Sequence, residues 1–175
     1  DIGPAGGYIF YDKGYYSKAG FKLVKAAPDP GPITPPYNAW RYLEAAPNDQ
    51  SEVFLSWGCE GISISGADGT TVGTGEKNTL DIEAGCTTAG TAADICANLS
   101  LGGYNDWFLP SKDELNLMYA NLKVFAIGDF IEFYHSYWSS SEYSEKYAWF
   151  QNFNNGEQIY HQKTVSIPVR AARSF

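Results

Sequence analysis

Histidine and cysteine are scarce in this 175-residue chain, with two of the first and three of the second. Neither His135 nor His161 stands near a cysteine, so the ligand spacings of a zinc site are absent. An odd cysteine count leaves at least one thiol free or paired between chains. Cys86 and Cys96 flank a short loop and the start of a helix. A local disulfide between them is the favoured pairing for an exported protein, with Cys59 keeping three pairings open. No apolar run approaches the ~20 residues of a membrane span, and no signal-peptide pattern is present. Asp1 in place of an initiator methionine marks a processed or excised piece. Positive charge is also short: 12 Lys and Arg against 20 Asp and Glu leave a net −8, which argues against general nucleic-acid binding.

The catalytic patterns are missing as well. Ser139, Ser140 and Ser141 offer hydroxyls, but there is no Gly-x-Ser-x-Gly elbow and no histidine with a carboxylate partner, so they read as a sheet edge or bulge. Residues 63–75, SISGADGTTVGTG, lack the Gly-Lys-Ser/Thr ending of a phosphate loop and read as turns. Calcium wants six to eight oxygen ligands. Asp106 alone supplies no such set, and Asn105-Asp106 reads as a hydrogen-bonded turn.

What the chain has in quantity is aromatic surface: 13 Tyr and 5 Trp, in a total of 16%. These side chains join an apolar body to a polar tip, which suits core edges, protein interfaces and sugar-binding surfaces. The chain is organised around residues 102–121, GGYNDWFLPSKDELNLMYAN. Gly102-Gly103 permits a tight reversal, Trp107-Phe108-Leu109 must be buried, and Pro110 stops any strand. Ser111 with Glu114 forms a capping box. Leu115, Met118, Tyr119 and Leu122 then line one helical face.

Around this core stretch, residues 8–11, 21–26 and 40–45 are predicted strands, the first two joined as a hairpin. Five prolines in 28–36 exclude regular structure. A helix over 79–84 capped by Asn78 and another over 91–99 are expected. Residues 124–134 read as loop with a helical turn. Strands are predicted over 137–142, 147–153, 158–163 and 168–174, with Asn155-Gly156 forming a type I′ hairpin turn and Phe175 buried. The fold class is α+β, a mostly antiparallel sheet with two or three short helices mid-chain.

Two basic clusters stand out. Lys13, Lys18, Lys22 and Lys25 occupy a segment without acids, and Arg170 and Arg173 lie near the C-terminus. An odd spacing puts the two arginines on opposite faces of a regular strand, one exposed and one free to enter a buried ion pair.

The run NDWFLPSKDELNLMY at 105–119 is followed by YWSSSE at 137–142, AW at 148–149, NFNNG at 152–156 and VRAARSF at 169–175. With GPAGG at 3–7, WGC at 57–59 and GTG at 73–75, the series resembles the family of the C-terminal domain of Legionella collagen-like adhesins over essentially the whole chain. The resemblance implies a C-type-lectin-like fold over residues 7–175, with residues 1–6 as the end of a collagen-like stalk or linker. It implies a secreted or bacterial cell-surface adhesin head, not an enzyme, without cofactor, metal, nucleic-acid partner or membrane insertion. Its ligand would be a sulfated glycosaminoglycan of the heparin or chondroitin sulfate kind. A homotrimer, serving host attachment and biofilm or cell–cell adhesion, would bind it through exposed lysines and arginines. The candidates are Lys13, Lys18, Lys22, Lys25, Arg170 and Arg173. The formylglycine-generating enzymes, distantly similar in fold, use a late cysteine, and none follows Cys96 here. The alternative is a lectin-fold trimerisation or display module that binds protein or neutral sugar through its aromatic-rich surface.

Overall fold

Ser111 caps the helix that follows it. In the computed structural model, which describes residues 1–13, 40–50, 54–130 and 136–175, its hydroxyl accepts from the backbone N–H of Glu114. The Glu114 carboxylate accepts in return from the Ser111 N–H at 2.8 Å, closing the capping box. Counted in chain order, the helices are α1 (Gly75–Gly85), α2 (Ala92–Ala97) and α3 (Lys112–Asn121), with a 3-10 turn at Lys123–Phe125 after α3. Leu115, Met118 and Leu122 bury the inner face of α3 against Phe10, Leu43 and Phe153. Asn121 then donates to the Phe10 carbonyl at 2.9 Å.

The strands are β1 (Tyr8–Asp12), β2 (Tyr42–Ala45), β3 (Ser136–Glu142), β4 (Tyr147–Asn152), β5 (Gln158–Gln162) and β6 (Ala172–Ser174). They form two antiparallel three-stranded sheets, ordered β1-β2-β6 and β3-β4-β5. This is α+β as expected. The strands nearest the two chain ends share a sheet, but both pair with β2 rather than with each other.

The C-terminal segment joins the two sheets. The carbonyls of Val169 and Ala171 accept from Gln50 and Ala46, beyond the end of β2, and the Pro168 carbonyl accepts from Trp138 in β3. Ile167 bridges Leu55 and Ala172 bridges Phe108. One apolar cluster, with Trp57, Ile82, Trp107 and Trp138, fills the side of α1 and α2. A second, with Phe10, Met118, Tyr137 and Phe153, lies under α3.

Several expectations are corrected. Helix α1 starts at Gly75 after Thr74, and Asn78 is buried inside it. Its amide donates to the Gly69 carbonyl at 2.6 Å, so it serves a tertiary contact instead of a cap. Regular β6 is shorter than 168–174, because the residues before Ala172 bond to both sheets and fit the ladder of neither. The hairpin after β4 is not type I′: Gly156 has φ +80°, but Asn155 is not among the residues with positive φ. Phe153 is drawn into the apolar cluster under α3, and the Asn152 carboxamide accepts from the N–H of Asn154 at 2.8 Å. The loop is therefore longer than two residues, closed by the Asn152 N–H on the Glu157 carbonyl. The strand over 21–26, its hairpin and the proline-rich 28–36 lie outside the described residues.

The disulfide also differs. Cys59 pairs with Cys86, at a Cα separation of 5.7 Å, and Cys96 is free. Sequence proximity misleads here, because Cys96 points from the buried face of α2 into the cluster of Trp57, Ile82 and Trp107. Burial pushes its thiol pKa well above the ordinary range, with a smaller contribution from Glu83, so it is no nucleophile. The oxidised native domain is expected to show no thiol reactive to an aromatic disulfide reagent and one per chain once denatured. Replacing Cys59 and Cys86 by serine is expected to lower the unfolding free energy by about 3.5 kcal/mol, measured in urea, as chain entropy predicts for a sequence separation of 27.

Candidate functional site

A buried guanidinium must be neutralised and hydrogen-bonded, and Arg173, 3% exposed in β6, is both. It donates to both carboxylate oxygens of Asp106, each at 2.8 Å, and to Glu44 in β2 at 3.2 Å. Its guanidinium lies over the Tyr104 ring at 3.9 Å. Glu44, fully buried, accepts in addition from the N–H of Gly7 at 2.7 Å and of Ala5 at 3.2 Å. A Cβ on Gly3 would overlap the Glu44 carboxylate, so glycine is required for the chain to pass so close. Residues 1–7 are thereby bonded into the domain, and Gly6 turns at φ +83°.

Burial alone would lower the pKa of Arg173, but its hydrogen bonds to Asp106 and Glu44 raise it. The hydrogen bond from Arg173 holds the Asp106 carboxyl below the usual carboxylate range, against a smaller opposing effect of burial.

Arg170 is wholly buried too. It pairs with Asp49 at 2.6 Å, donates to the carbonyls of Ala46, Pro47 and Gly128, and lies over the Phe130 ring at 4.2 Å. The expectation that one of these arginines faces a ligand is therefore corrected. Residues 168–171 are all buried, and their carbonyls accept from Ala46 and Gln50 and from Trp138 of β3, so the alternation of a half-exposed strand does not decide the matter.

Lys163 and Glu142 form a third buried pair, in which Lys163 also donates to the Ile62 carbonyl and Glu142 accepts from the Ile64 N–H. Ser139, Ser140 and Ser141 are buried in β3, where the pairing with β4 is irregular. The hydroxyls of Ser139 and Ser141 donate to the carbonyls of Trp149 and Gly69, so these two are engaged inside the fold.

Of the lysine candidates, Lys13 is exposed, with its ammonium 4.5 Å from the Trp40 ring centroid. Lys18, Lys22 and Lys25 lie outside the described residues. Among the described residues, Lys13, Lys112, Lys123 and Lys146 form no ion pair, whereas all three arginines do.

The most distinctive surface was legible only as a general excess of aromatics. Tyr143, in the turn after β3, and Tyr160, in β5, stack with ring centroids 4.0 Å apart and planes within 2°. Trp149 of β4 stands perpendicular to both, at 5.4 and 5.7 Å. Tyr147 adds an edge contact to Tyr160, and Lys112, first in α3, places its ammonium 4.2 Å from the Trp149 ring centroid. The signal that would have found this cluster is the β4–β5 register, which sets Trp149 opposite Tyr160. A two-residue turn at Asn155-Gly156 sets Trp149 opposite Gln162 instead.

Arg173→Met, which strands the fully buried Glu44 carboxylate, is expected to cost about 3–5 kcal/mol of stability in urea unfolding. Because the Asp106 pKa is lowered by folding, its stabilising contribution is present above the ordinary carboxylate range and is lost as pH falls through the lowered value. Asp106→Asn is accordingly expected to show a weaker loss of stability on acidification than the wild type.

Residues 51–173 match the model of the Lcl C-terminal domain family. That span contains α1 to α3, β3 to β5, both disulfide cysteines and the aromatic cluster. Among curated proteins, none matches the chain. With most of its length matched in one block, the chain belongs to the Lcl C-terminal domain family.

Proposed function

We propose that this domain is the non-enzymatic head of an adhesin, secreted or held at a bacterial surface, with a C-type-lectin-like fold. Its ligand is a sulfated polysaccharide of the heparin or chondroitin sulfate kind, bound through exposed lysines. Membership of an adhesin-type family supports the class, since this is not a known enzyme family. No helix among the described residues is long and apolar enough to cross a membrane.

The observation that carries the ligand reading is the division of the cations. Every arginine is engaged by a carboxylate, while Lys13, at the head of the segment with Lys18, Lys22 and Lys25, is exposed and without an ion-pair partner. Lysines act as hydrated point charges rather than bidentate forks. Each contact is therefore weak and strongly screened by salt. A homotrimer carried on a collagen-like stalk would compensate, because three weak sites held together gain avidity without new contacts. Such a head would serve host attachment and biofilm or cell–cell adhesion.

A second reading is favoured by the half-exposed stack of Tyr143 and Tyr160: a trimerisation or display module that binds protein or neutral sugar through aromatic surface.

The test is retention on immobilised heparin across a salt series, with the mass in solution measured alongside. Binding is expected to fall steeply with salt and to weaken by about threefold to tenfold for each of Lys13→Ala, Lys18→Ala and Lys22→Ala. Binding that ignores salt, or is unchanged in all three variants, would sink the polyanion reading.

A further inference from the structure

Four rings on the β3-β4-β5 sheet pack on one another at the surface instead of entering either apolar cluster. Their position follows from the length of α3. Along β4, Tyr147, Trp149 and Gln151 share one face, opposite Gln162, Tyr160 and Gln158 of β5. At the Gln151 end α3 covers that face, with Asn116 accepting from the Gln151 amide at 2.8 Å and the Lys112 carbonyl accepting from Gln158 at 2.7 Å. The helix begins at Lys112, and the aromatic end of the face lies beyond it.

The rings are left half open: Tyr143 is 50% exposed and Tyr160 45%. Among the described residues, the hydroxyls of Tyr143, Tyr147 and Tyr160 make no hydrogen bond, and the Lys112 ammonium has no carboxylate partner.

The platform is also fixed in place. The N–H of Tyr143 and of Ser144 both donate to the Tyr147 carbonyl at 3.0 Å, setting the turn that presents Tyr143. Behind it, the buried Glu142–Lys163 pair joins the residue before Tyr143 to the residue after β5, and the Lys163 N–H donates to the Lys146 carbonyl. Rings held this way lose little freedom when something settles on them.

Resting on the reading of the domain as a polysaccharide-binding head, we propose that Tyr143, Tyr147, Trp149 and Tyr160, bordered by Lys112, form a stacking site for a pyranose chain. The chemistry of the surface selects this occupant. A pyranose ring presents an apolar, slightly positive C–H face, which complements the negative face of an aromatic ring. Its equatorial hydroxyls reach the rim, where the three phenol groups can donate and accept. The unpaired Lys112 ammonium adds a preference for a sulfate or carboxylate on the sugar, so charge tunes an affinity that ring contact supplies.

The test uses two probes, cellohexaose, which is neutral, and dextran sulfate, titrated calorimetrically at low and high salt with the mass in solution followed. Thermal unfolding checks each variant for folding. Wild type is expected to bind cellohexaose with little salt dependence. Tyr143→Ala and Tyr160→Ala are expected to weaken it roughly fivefold to tenfold each, and the Phe variants of both to stay within about twofold. Lys112→Ala should reduce dextran sulfate binding and leave cellohexaose binding unchanged. Absence of cellohexaose binding, or Ala variants that bind as wild type, would overturn the site. Dextran sulfate binding that vanishes in Lys13→Ala, Lys18→Ala and Lys22→Ala yet ignores the tyrosines would keep the polyanion reading and remove this one. Cellohexaose binding that depends on the tyrosines, without any dextran sulfate binding, would keep this site and remove the sulfated ligand. Concentration-dependent self-association abolished by the tyrosine variants would make a second copy of the chain the occupant and would also overturn it.

Discussion

Neutralising the guanidinium of Arg173 is the constraint from which much of the architecture follows. The charge sits between sheet and loop with almost no contact with water, so its partners have to be brought to it. Glu44 comes from β2, directly opposite Arg173 in the strand register, and Asp106 from the loop before α3. Glu44 in turn collects the N–H groups of Ala5 and Gly7, so the N-terminal residues are held by a carboxylate whose main duty is elsewhere. One side chain thus registers the β2–β6 pairing, orients the approach to α3 and fastens the start of the chain. Apolar residues of the same volume could stabilise that junction as well or better. Apolar packing would select a register through which face is buried; the ion pairs add a second criterion, because the observed alignment sets Glu44 opposite Arg173.

Arg170 and Lys163 repeat the arrangement at two other joints. Arg170 gathers four backbone carbonyls and Asp49 where the buried residues 168–171 bond to the segment after β2 and to β3. Lys163 with Glu142 closes the far end of β3-β4-β5 against the loop at Ile62–Ile64. Glu114 belongs with them: burial raises its pKa, but backbone N–H groups of Ser111 and Gly73 hold its oxygens, tying the glycine-rich turn to the start of α3. In an acidic chain with 12 basic residues, three of them, Lys163, Arg170 and Arg173, are therefore buried in ion pairs.

Legibility of the fold tracked the range of the interactions. The capping box at Ser111 and Glu114, the start of α2 at Thr91 and the strands around residues 137–162 are set by neighbours in sequence, and the pattern of residues revealed them. Long-range choices did not show. The pairing of Cys59 with Cys86 depends on where α1 delivers its last turn, and the burial of Arg170 and Arg173 depends on a strand being covered on both faces. The β4–β5 register turned on Phe153: its burial under α3 lengthens the loop and moves Trp149 opposite Tyr160. The aromatic platform was legible only as an excess of Tyr and Trp, because assembling it requires that register and the point at which α3 begins.

The disposition of charge has a consequence for recognition. A guanidinium that holds a register cannot also meet a ligand, since moving Arg173 to the surface would leave the buried Glu44 without a counter-charge. The domain's binding energy must come from groups whose removal leaves the frame intact. Exposed lysines satisfy that condition, and so do rings that rest on one another rather than in the core. Tyr143, Tyr147 and Tyr160 add a further property, because ring contacts with a ligand would not weaken with salt as ionic contacts of Lys13 would. A surface that combines the two would hold a charged sugar chain at low ionic strength through both terms and a neutral one through stacking alone. The buried Glu142–Lys163 pair ties down the turn that presents Tyr143, so charge inside the protein would bear on a ligand that it never touches.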